Sequence, residues 1–425
     1  MQRAQAGASA PGVRPGREAV NARARATGPA RPPEARRAGP GGRGGLMVGI
    51  VLILTILTLC WTSVGLLLAP ILPGHAATFV LAAVLLAAIP FAVLVTVMTR
   101  HLYPGPVVRI GLFRTFWYAQ FFVIFLTPVG LVGAVAGSFF GRGADVGRGA
   151  VFAVGALFAA LAVIGYAGSR RLVVRRFTAV LPDLPAGLAG LRLVQLSDLH
   201  VGPHTRRDHL EAVRRAVEEA RPELIVVTGD LVDDYPGDVE CYRAAFGSLA
   251  APLGVFAIPG NHEIYTGWAA MRSHLERLPL TLLVNGAASL ERGGARLTVV
   301  GTGDPAGGRG EAGPDLERAF ARVEPGSFVL ALAHNPALWP ALAERRVPFT
   351  LSGHTHWGQL AVPRLGWCLA SPFLELAMGS HARGRSLLYI HPGSNYWGLP
   401  FRIGTPAEVA IITLGRGDRA ALLPE

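Results

Sequence analysis

The chain has 425 residues, enough for two or three domains, and its hydrophobic fraction of 51% and mean hydropathy of +0.39 are high for a soluble protein. The formal net charge is +12, and all forty basic residues are Arg. The excess is uneven: Met1–Gly45 carries +7, Leu46–Gly190 another +7, and Leu191–Glu425 carries −2, so the C-terminal half lacks the basic surplus that a nucleic-acid partner requires.

Residues 1–45 hold Arg, Ala, Gly and Pro with almost no large apolar side chain, a composition that predicts a disordered tail. Its nine Arg read best as a topology signal, ahead of an anionic-lipid contact. The Arg36-Arg37 pair lacks the apolar residues that a twin-arginine export signal needs just after it. Residues 46–168 then predict four membrane helices: Leu46–Pro70, Ala76–Thr99, Phe116–Phe140 and the Ala/Gly-rich Gly149–Gly168. Each of the first three is apolar for more than 20 residues, long enough to span a bilayer at about 1.5 Å per residue. The loops between them run basic, neutral, basic, weak and basic, ending in Arg170, Arg171, Arg175 and Arg176. By the positive-inside rule both ends face the cytoplasm, so the expectation is a multi-pass plasma-membrane protein. Residues 169–190 read as a basic linker whose Pro- and Gly-rich second half leaves the following domain some freedom.

From 191 to 425 the pattern changes to alternating strands and helices. Asp208–Ala220 is helical, with Leu210, Val213 and Val217 on one face, and Gly267–Leu278 is a second helix. Strands are expected at Arg296–Gly301, Ser327–Ala333, Phe349–Ser352, Leu387–His391 and Glu408–Leu414, with Gly301–Pro314 as a flexible loop. Five apolar runs end in residues that ligate metals. Leu191–Leu196 ends in Asp198 and His200, Leu224–Thr228 in Asp230, Val255–Ile258 in Asn261-His262-Glu263, Phe328–Ala333 in His334, and Phe349–Ser352 in His354 and His356. Sites in open α/β sheets form beyond the carboxyl ends of strands. One H-x-H pair is a weak signal; five such endings in one domain point to a common site. Imidazoles mixed with carboxylate and amide oxygens suit Mn, Fe, Zn or Ni rather than Ca, and the lack of thiolates argues against a structural zinc. Seven candidate ligands are too many for one ion and about right for two, which can clamp an in-line displacement at phosphorus.

In this order, D-x-H, G-D, G-N-H-E, H and G-H-x-H resemble the calcineurin-like metallophosphoesterases, over about Leu191–Leu414. The forms S-D-L-H-V-G and S-G-H-T-H-x-G-Q are similar to a membrane-anchored bacterial branch whose relatives include pyrophosphatases acting on UDP-2,3-diacylglucosamine. The resemblance implies an α/β domain of two face-to-face sheets flanked by helices. It implies a first divalent ion on Asp198, His200 and His356, a second on Asn261, His334 and His354, a bridging Asp230, and His262 as a proton donor to the leaving oxygen. Trp357 stands where that branch often has Gly, which bears on the pocket's shape.

Further substrate contacts are expected from His204, on the loop past His200, from Trp357, and from Arg383 and Arg385 as holders of a second phosphate or a carboxylate. The apolar Leu365–Met378 reads first as core, second as a wall that meets the bilayer or acyl chains. His209, His274, His381 and His391 read as surface or structural, and Cys60, Cys241 and Cys368 as unpaired structural thiols. These readings converge on a membrane-anchored phosphoesterase for a lipid or nucleotide-lipid headgroup. A tethered enzyme for soluble nucleotides and a non-catalytic sensor or scaffold are the alternatives.

The Arg distribution predicts that a phosphatase reporter active only after export, fused beyond Glu425, is silent in intact cells. Activity there would place the C-terminal domain outside.

Overall fold

The computed structural model describes residues 40–425, apart from 72–73, 100–101, 103, 234 and 266. The expected tail disorder lies almost wholly outside the described residues. The chain divides into two compact units, Met1–Leu52 and Ile53–Glu425. Of the first, the structure describes only the opening of a helix.

Four helices come first: α1 (Pro40–Leu68), α2 (Ala76–Thr99), α3 (Thr115–Ser138) and α4 (Gly143–Ser169). Among the described residues three segments are long and apolar enough to cross a membrane: Val51–Ile71, Val108–Ser138 and Gly143–Ser169. Three of the four expected spans thus meet that test. The fourth, α2, is a 24-residue helix with Pro90 inside it, of which the described apolar stretch is Ala88–Val97. The weakest expected span, by contrast, is a full helix in α4. Helices α3 and α4 approach closely because small residues face each other: a Cβ on Gly147 would lie 2.8 Å from the Gly130 carbonyl oxygen. Such backbone approach is how helices associate where lipid supplies no hydrophobic drive.

The second part carries strands β1 (Leu172–Leu181), β2 (Arg192–Leu196), β3 (Leu224–Thr228), β4 (Val255–Ile258), β5 (Thr281–Leu282), β6 (Gly286–Arg292) and β7 (Ala295–Gly301). Then come β8 (Phe328–Leu332), β9 (Phe349–Ser352), β10 (Ala361–Val362), β11 (Trp367–Cys368), β12 (Gly379–Arg383), β13 (Ser386–Ile390), β14 (Ala407–Arg416) and β15 (Ala421–Pro424). Its helices are α5 (Arg207–Ala220), α6 (Val239–Phe246), α7 (Asn261–Tyr265), α8 (Trp268–Leu275), α9 (Leu316–Phe320) and α10 (Trp339–Glu344). They build a seven-stranded sheet, β15-β1-β14-β2-β3-β4-β5, and a six-stranded sheet, β12-β13-β9-β8-β7-β6. Side-chain alternation sets the layers. Leu193, Leu224, Val226, Ala410 and Ile412 of the first sheet meet Leu297, Leu330, Leu332, Phe349 and Leu351 of the second. The alternate residues Val194, Leu196, Ile225 and Val227 pack on Leu210, Val213 and Val217 of α5 and on Tyr242 and Phe246 of α6. The outer face of the second sheet is covered by Ala319 of α9 and Leu342 of α10.

Residues 169–190 are not a linker. Strand β1 runs parallel to β14 over its whole length and antiparallel to β15. Its Phe177, Ala179 and Leu181 enter the inter-sheet core, followed by Leu184 and Leu188. The period-two apolar signal was there, masked by Arg175, Arg176 and the Pro/Gly residues that follow. Gly301–Pro314 is also tied down rather than loose: Asn285 accepts from the Gly303 and Asp315 amides at 2.8 and 2.9 Å and donates to the Gly313 carbonyl at 2.7 Å.

Leu181→Ala separates the two readings of this segment. A core strand loses about 2–5 kcal/mol on such a truncation, whereas a mobile linker loses almost nothing. Denaturant unfolding of the purified chain, compared with wild type, measures the difference.

Candidate metal centre

Five strands deliver their next residues to one place. Beyond β2 stand Asp198 and His200, beyond β3 Asp230, beyond β4 Asn261 and His262, beyond β8 His334, and beyond β9 His354 and His356. Backbone bonds clamp the crossings together: Asp198 N to Gly229 O, His200 N to Asp230 O and Gly353 N to His334 O, each 3.0 Å. Asp198, His200, Asp230, His354 and His356 all have positive φ, between 40° and 72°. That region is costly for residues with a Cβ and persists where the surrounding fold over-determines it. The chain turns sharply at each strand end so that the side chain points back over the sheet edge. Gly353 permits one of these turns, since a Cβ there would meet Asp198 Oδ2 at 2.3 Å.

Electron-pair donors converge. The Nε2 atoms of His200 and His356 are 3.0 Å apart, and Asp198 Oδ1 lies 3.3 Å from that of His356. Asp230 Oδ2 is 3.6 Å from His200 Nε2 and 3.1 Å from His334 Nε2. Asn261 Oδ1 is 3.1 Å from His334 Nε2 and 2.7 Å from His354 Nδ1. Asp198, His200 and His356 have ligand atoms mutually within 4.8 Å, as do Asp198, Asp230 and His334. Asp198 belongs to both groups, and Asp230 Oδ2 approaches His200 of the first as well as His334 of the second.

Protonation suits a cation. Burial drives His200 and His356 well below the usual imidazole range and His354 down to about 4, leaving them neutral, the form that ligates. Burial also pushes Asp198 up, to about 6, with Asp230 adding to the rise. Asp230 behaves oppositely: burial opposes its charge, but His334 and His262 hold it well below the carboxylate range. Burial likewise opposes a charge on His334, yet Asp230 and Asp198 hold that ring well above its usual value. The pocket between two buried carboxylates thus retains positive charge, here a proton. The carboxylate, amide and imidazole atoms gathered there fit a divalent ion equally well.

The sequence profile described as calcineurin-like phosphoesterase matches residues 191–358. An uncharacterized metallophosphoesterase of Aquifex aeolicus is 30% identical over 255 residues, covering 58% of this chain and 94% of that protein. The chain belongs to the calcineurin-like phosphoesterase family. An uncharacterized metallophosphoesterase of Helicobacter pylori is 32% identical over 226 residues, 53% of this chain and 60% of its own length. A transmembrane protein with metallophosphoesterase domain from Danio rerio is 32% identical over 250 residues, 54% of each. The chain thus spans little more than half the length of these last two relatives.

Several residues of the phosphoesterase site were not singled out in the sequence. Glu263 is fully buried and accepts from Gly260 N at 2.8 Å, Asp230 N at 3.0 Å and Val232 N at 3.1 Å, fixing the loops that carry Asp230 and Asn261. Its burial raises its pKa to about 7. Ser197 Oγ donates to Asp198 Oδ2 at 2.6 Å. Buried Arg402 sets Nη2 3.3 Å from His356 Nδ1, behind the ring, and donates to the Pro392 carbonyl at 2.8 Å. The Asp233 carbonyl receives His262 Nδ1 at 2.6 Å. Glu263 was visible in G-N-H-E; the others carry no local signal.

The expected substrate contacts fare unevenly. His204 sits beside the site, its Nε2 3.8 Å from Asp233 Oδ2. Trp357 is buried among Trp339, Leu388 and Ile390, with Nε1 donating to the Ile390 carbonyl at 2.9 Å, so it is a core residue and not a pocket wall. Arg383 and Arg385 flank the β12–β13 turn, at the amino end of β13. Because β13 runs parallel to β9, that turn lies about 15 Å from the metal-ligating ends, and Arg385 pairs there with Asp183. Neither reaches the centre. Leu365–Met378 is divided: Cys368 and Ala377 are buried, while Leu365 and Phe373 are exposed. His391, expected as surface or structural, is fully buried.

Glu263→Gln replaces an acceptor by an amide that faces backbone N–H groups. Loss of such a supporting contact costs about 10–100-fold in metal affinity. Elemental analysis across a free-Mn titration should show half-loading displaced by that factor. Unchanged loading would remove Glu263 from the support of the site.

Proposed function

We propose that the protein is a membrane-anchored, binuclear metal-dependent phosphoesterase that hydrolyses a phosphodiester or pyrophosphate bond of a lipid or nucleotide-lipid headgroup, with the catalytic domain on the cytoplasmic side. One observation carries the lipid part of this reading. The loop from Tyr396 to Arg402 joins the metal centre to the ends of the membrane helices. Its Trp397 ring lies 5.8 Å from that of His262. Its Phe401 packs against Gly165 of α4, and Arg402 N donates to the Gly165 carbonyl at 2.9 Å. Tyr118 of α3 donates to the Pro400 carbonyl at 3.4 Å, and Arg114 to the Tyr396 hydroxyl at 3.1 Å. On the other flank Arg109 pairs with buried Asp238 at 2.8 Å. A centre held this near the ends of spanning helices favours substrates presented by the bilayer.

Two divalent ions, drawn from Mn, Fe, Zn or Ni, would supply Lewis-acid charge for the phosphoryl oxygens and acidify a water to near-neutral pKa. Asp198, His200 and His356 would hold one, Asn261, His334 and His354 the other, and Asp230 both. With Nδ1 donating to the Asp233 carbonyl, the imidazolium form of His262 would give a proton to the departing oxygen. Its ring is held edge-on to His200 at 4.7 Å, within the centre. Trp397 and Tyr265, both exposed, stand over His262 and limit water at that side.

Purified full chain with added Mn should hydrolyse bis-p-nitrophenyl phosphate, and a UDP-lipid extract better. Asp230→Asn should abolish turnover and reduce bound metal with the fold retained. His262→Ala should keep both ions and lose about 10²–10⁴-fold in rate, the contribution of a positioned general acid. An Asp230→Asn protein that binds two ions and works at full rate would disprove the bridging role, and hydrolysis of neither substrate would favour a scaffold.

A further inference from the structure

A cavity of about 240 Å³ opens where the start of α3 and the end of α4 meet the phosphoesterase domain. Arg114 enters from the segment leading into α3, Tyr166 and Arg170 from the end of α4, His204 and Arg206 from the loop past His200, and Tyr396 from the loop described above. Three guanidinium groups thus line one recess. Arg206 pairs with Asp208. Among the described residues Arg114 and Arg170 form no salt bridge: Arg114 donates to the Tyr396 hydroxyl at 3.1 Å, and the Arg170 guanidinium lies 5.9 Å from the Tyr166 ring centroid. Asp208 therefore answers only one of three fixed positive charges, and the recess keeps a surplus of two. His209 adds none, because burial lowers its pKa and its Nε2 lies 2.8 Å from the Ser394 carbonyl oxygen.

The position matters as much as the charge. The spans Val108–Ser138 and Gly143–Ser169 both reach this level, Arg114 near the start of one and Arg170 just past the end of the other. Arg170 and Tyr166 are exposed, and Arg114 and Arg206 are partly so. Basic recesses between helix ends at headgroup depth are suited to anionic lipid phosphates. Guanidinium forks match phosphate oxygens in geometry as well as charge. Leu172 and Pro400 give the recess an apolar side.

We propose that this cavity is a second anion site, for a phosphate-bearing headgroup, distinct from the metal centre and bordering it through His204. The chemistry is shared by two sources, an anionic lipid of the surrounding bilayer and a distal phosphate of a soluble molecule. The site stands whether or not the metal centre is hydrolytic.

The test uses metal-loaded full chain in detergent micelles. Affinities are measured for dioleoylphosphatidylglycerol, for dioleoylphosphatidylcholine and for inorganic phosphate, in wild type and in the double variant Arg114→Gln/Arg170→Gln. Because the metals are common to both proteins, a difference between them isolates the cavity. Loss of two charge-assisted hydrogen bonds should weaken binding at least about tenfold. A drop confined to phosphatidylglycerol assigns a lipid; a drop that extends to inorganic phosphate assigns a soluble phosphate. Equal affinities in the two proteins for all three probes overturn the proposal. Should the double variant fold poorly, Arg170→Gln alone, at an exposed position, decides the same comparison, and an unchanged affinity there overturns it equally.

Discussion

Two buried carboxylates facing a cluster of buried imidazoles are the arrangement on which the rest depends. Asp198 and Asp230 are almost wholly removed from solvent, and His200, His334 and His356 each bring a ring nitrogen within 3.6 Å of one of them. An isolated buried carboxylate costs several kcal/mol. The protein meets that cost with backbone amides, namely His354 N on Asp198 and His262 N on Asp230, and with positive charge held between the acids. A proton on His334 meets part of that need. A divalent ion would meet more of it, which would tie stability of the strand ends to metal binding.

The two sheets make this arrangement possible. Parallel strands β2, β3 and β4 of one sheet and β7, β8 and β9 of the other each end on the same side, so their following residues meet above the inter-sheet core. Gln195 joins the sheets just below, donating to Thr228 Oγ1 and to the Ser352 carbonyl, each at 3.0 Å. Left-handed backbone at five ligands is the local price of bending each chain end inward. The fold stores that strain in loops whose donors and acceptors are tied across strands.

The convergence of the candidate ligands was legible in the chain because each follows an apolar run at once. Local contrast between Leu-Val-rich strands and Asp, His or Asn marks a strand end without any tertiary knowledge. The strands from Arg296 onward were legible for the same reason. What stayed hidden depends on distant partners. Strand β1 reads as a basic linker because its pairing with β14 lies more than 200 residues away and half of its residues face outward. Trp357 reads as a pocket residue because it follows His356; only the αL turn at that position, φ 51°, sends the ring to the core. Arg383 and Arg385 were misplaced by the same logic. Nearness in sequence to the apolar stretch after the metal loop suggested nearness in space, but the β12–β13 hairpin carries them to the opposite edge.

The strand β1 also changes how the membrane part and the catalytic part relate. A flexible linker would decouple them, and a site so tethered would sample many orientations. Instead α4 ends at Ser169 and β1 starts at Leu172, directly within the sheet. The Ala407 amide, at the start of β14, bonds the Arg171 carbonyl at 3.1 Å, so the helix end and the sheet share backbone. Arg402 then serves both sides: its amide bonds α4 while its guanidinium backs His356. A shift of α4 along its axis therefore bears on the His356 ring through one residue. The placement of the phosphoesterase domain against the end of α4 is a property of the fold, set by β1 and Arg402 together rather than by tether length.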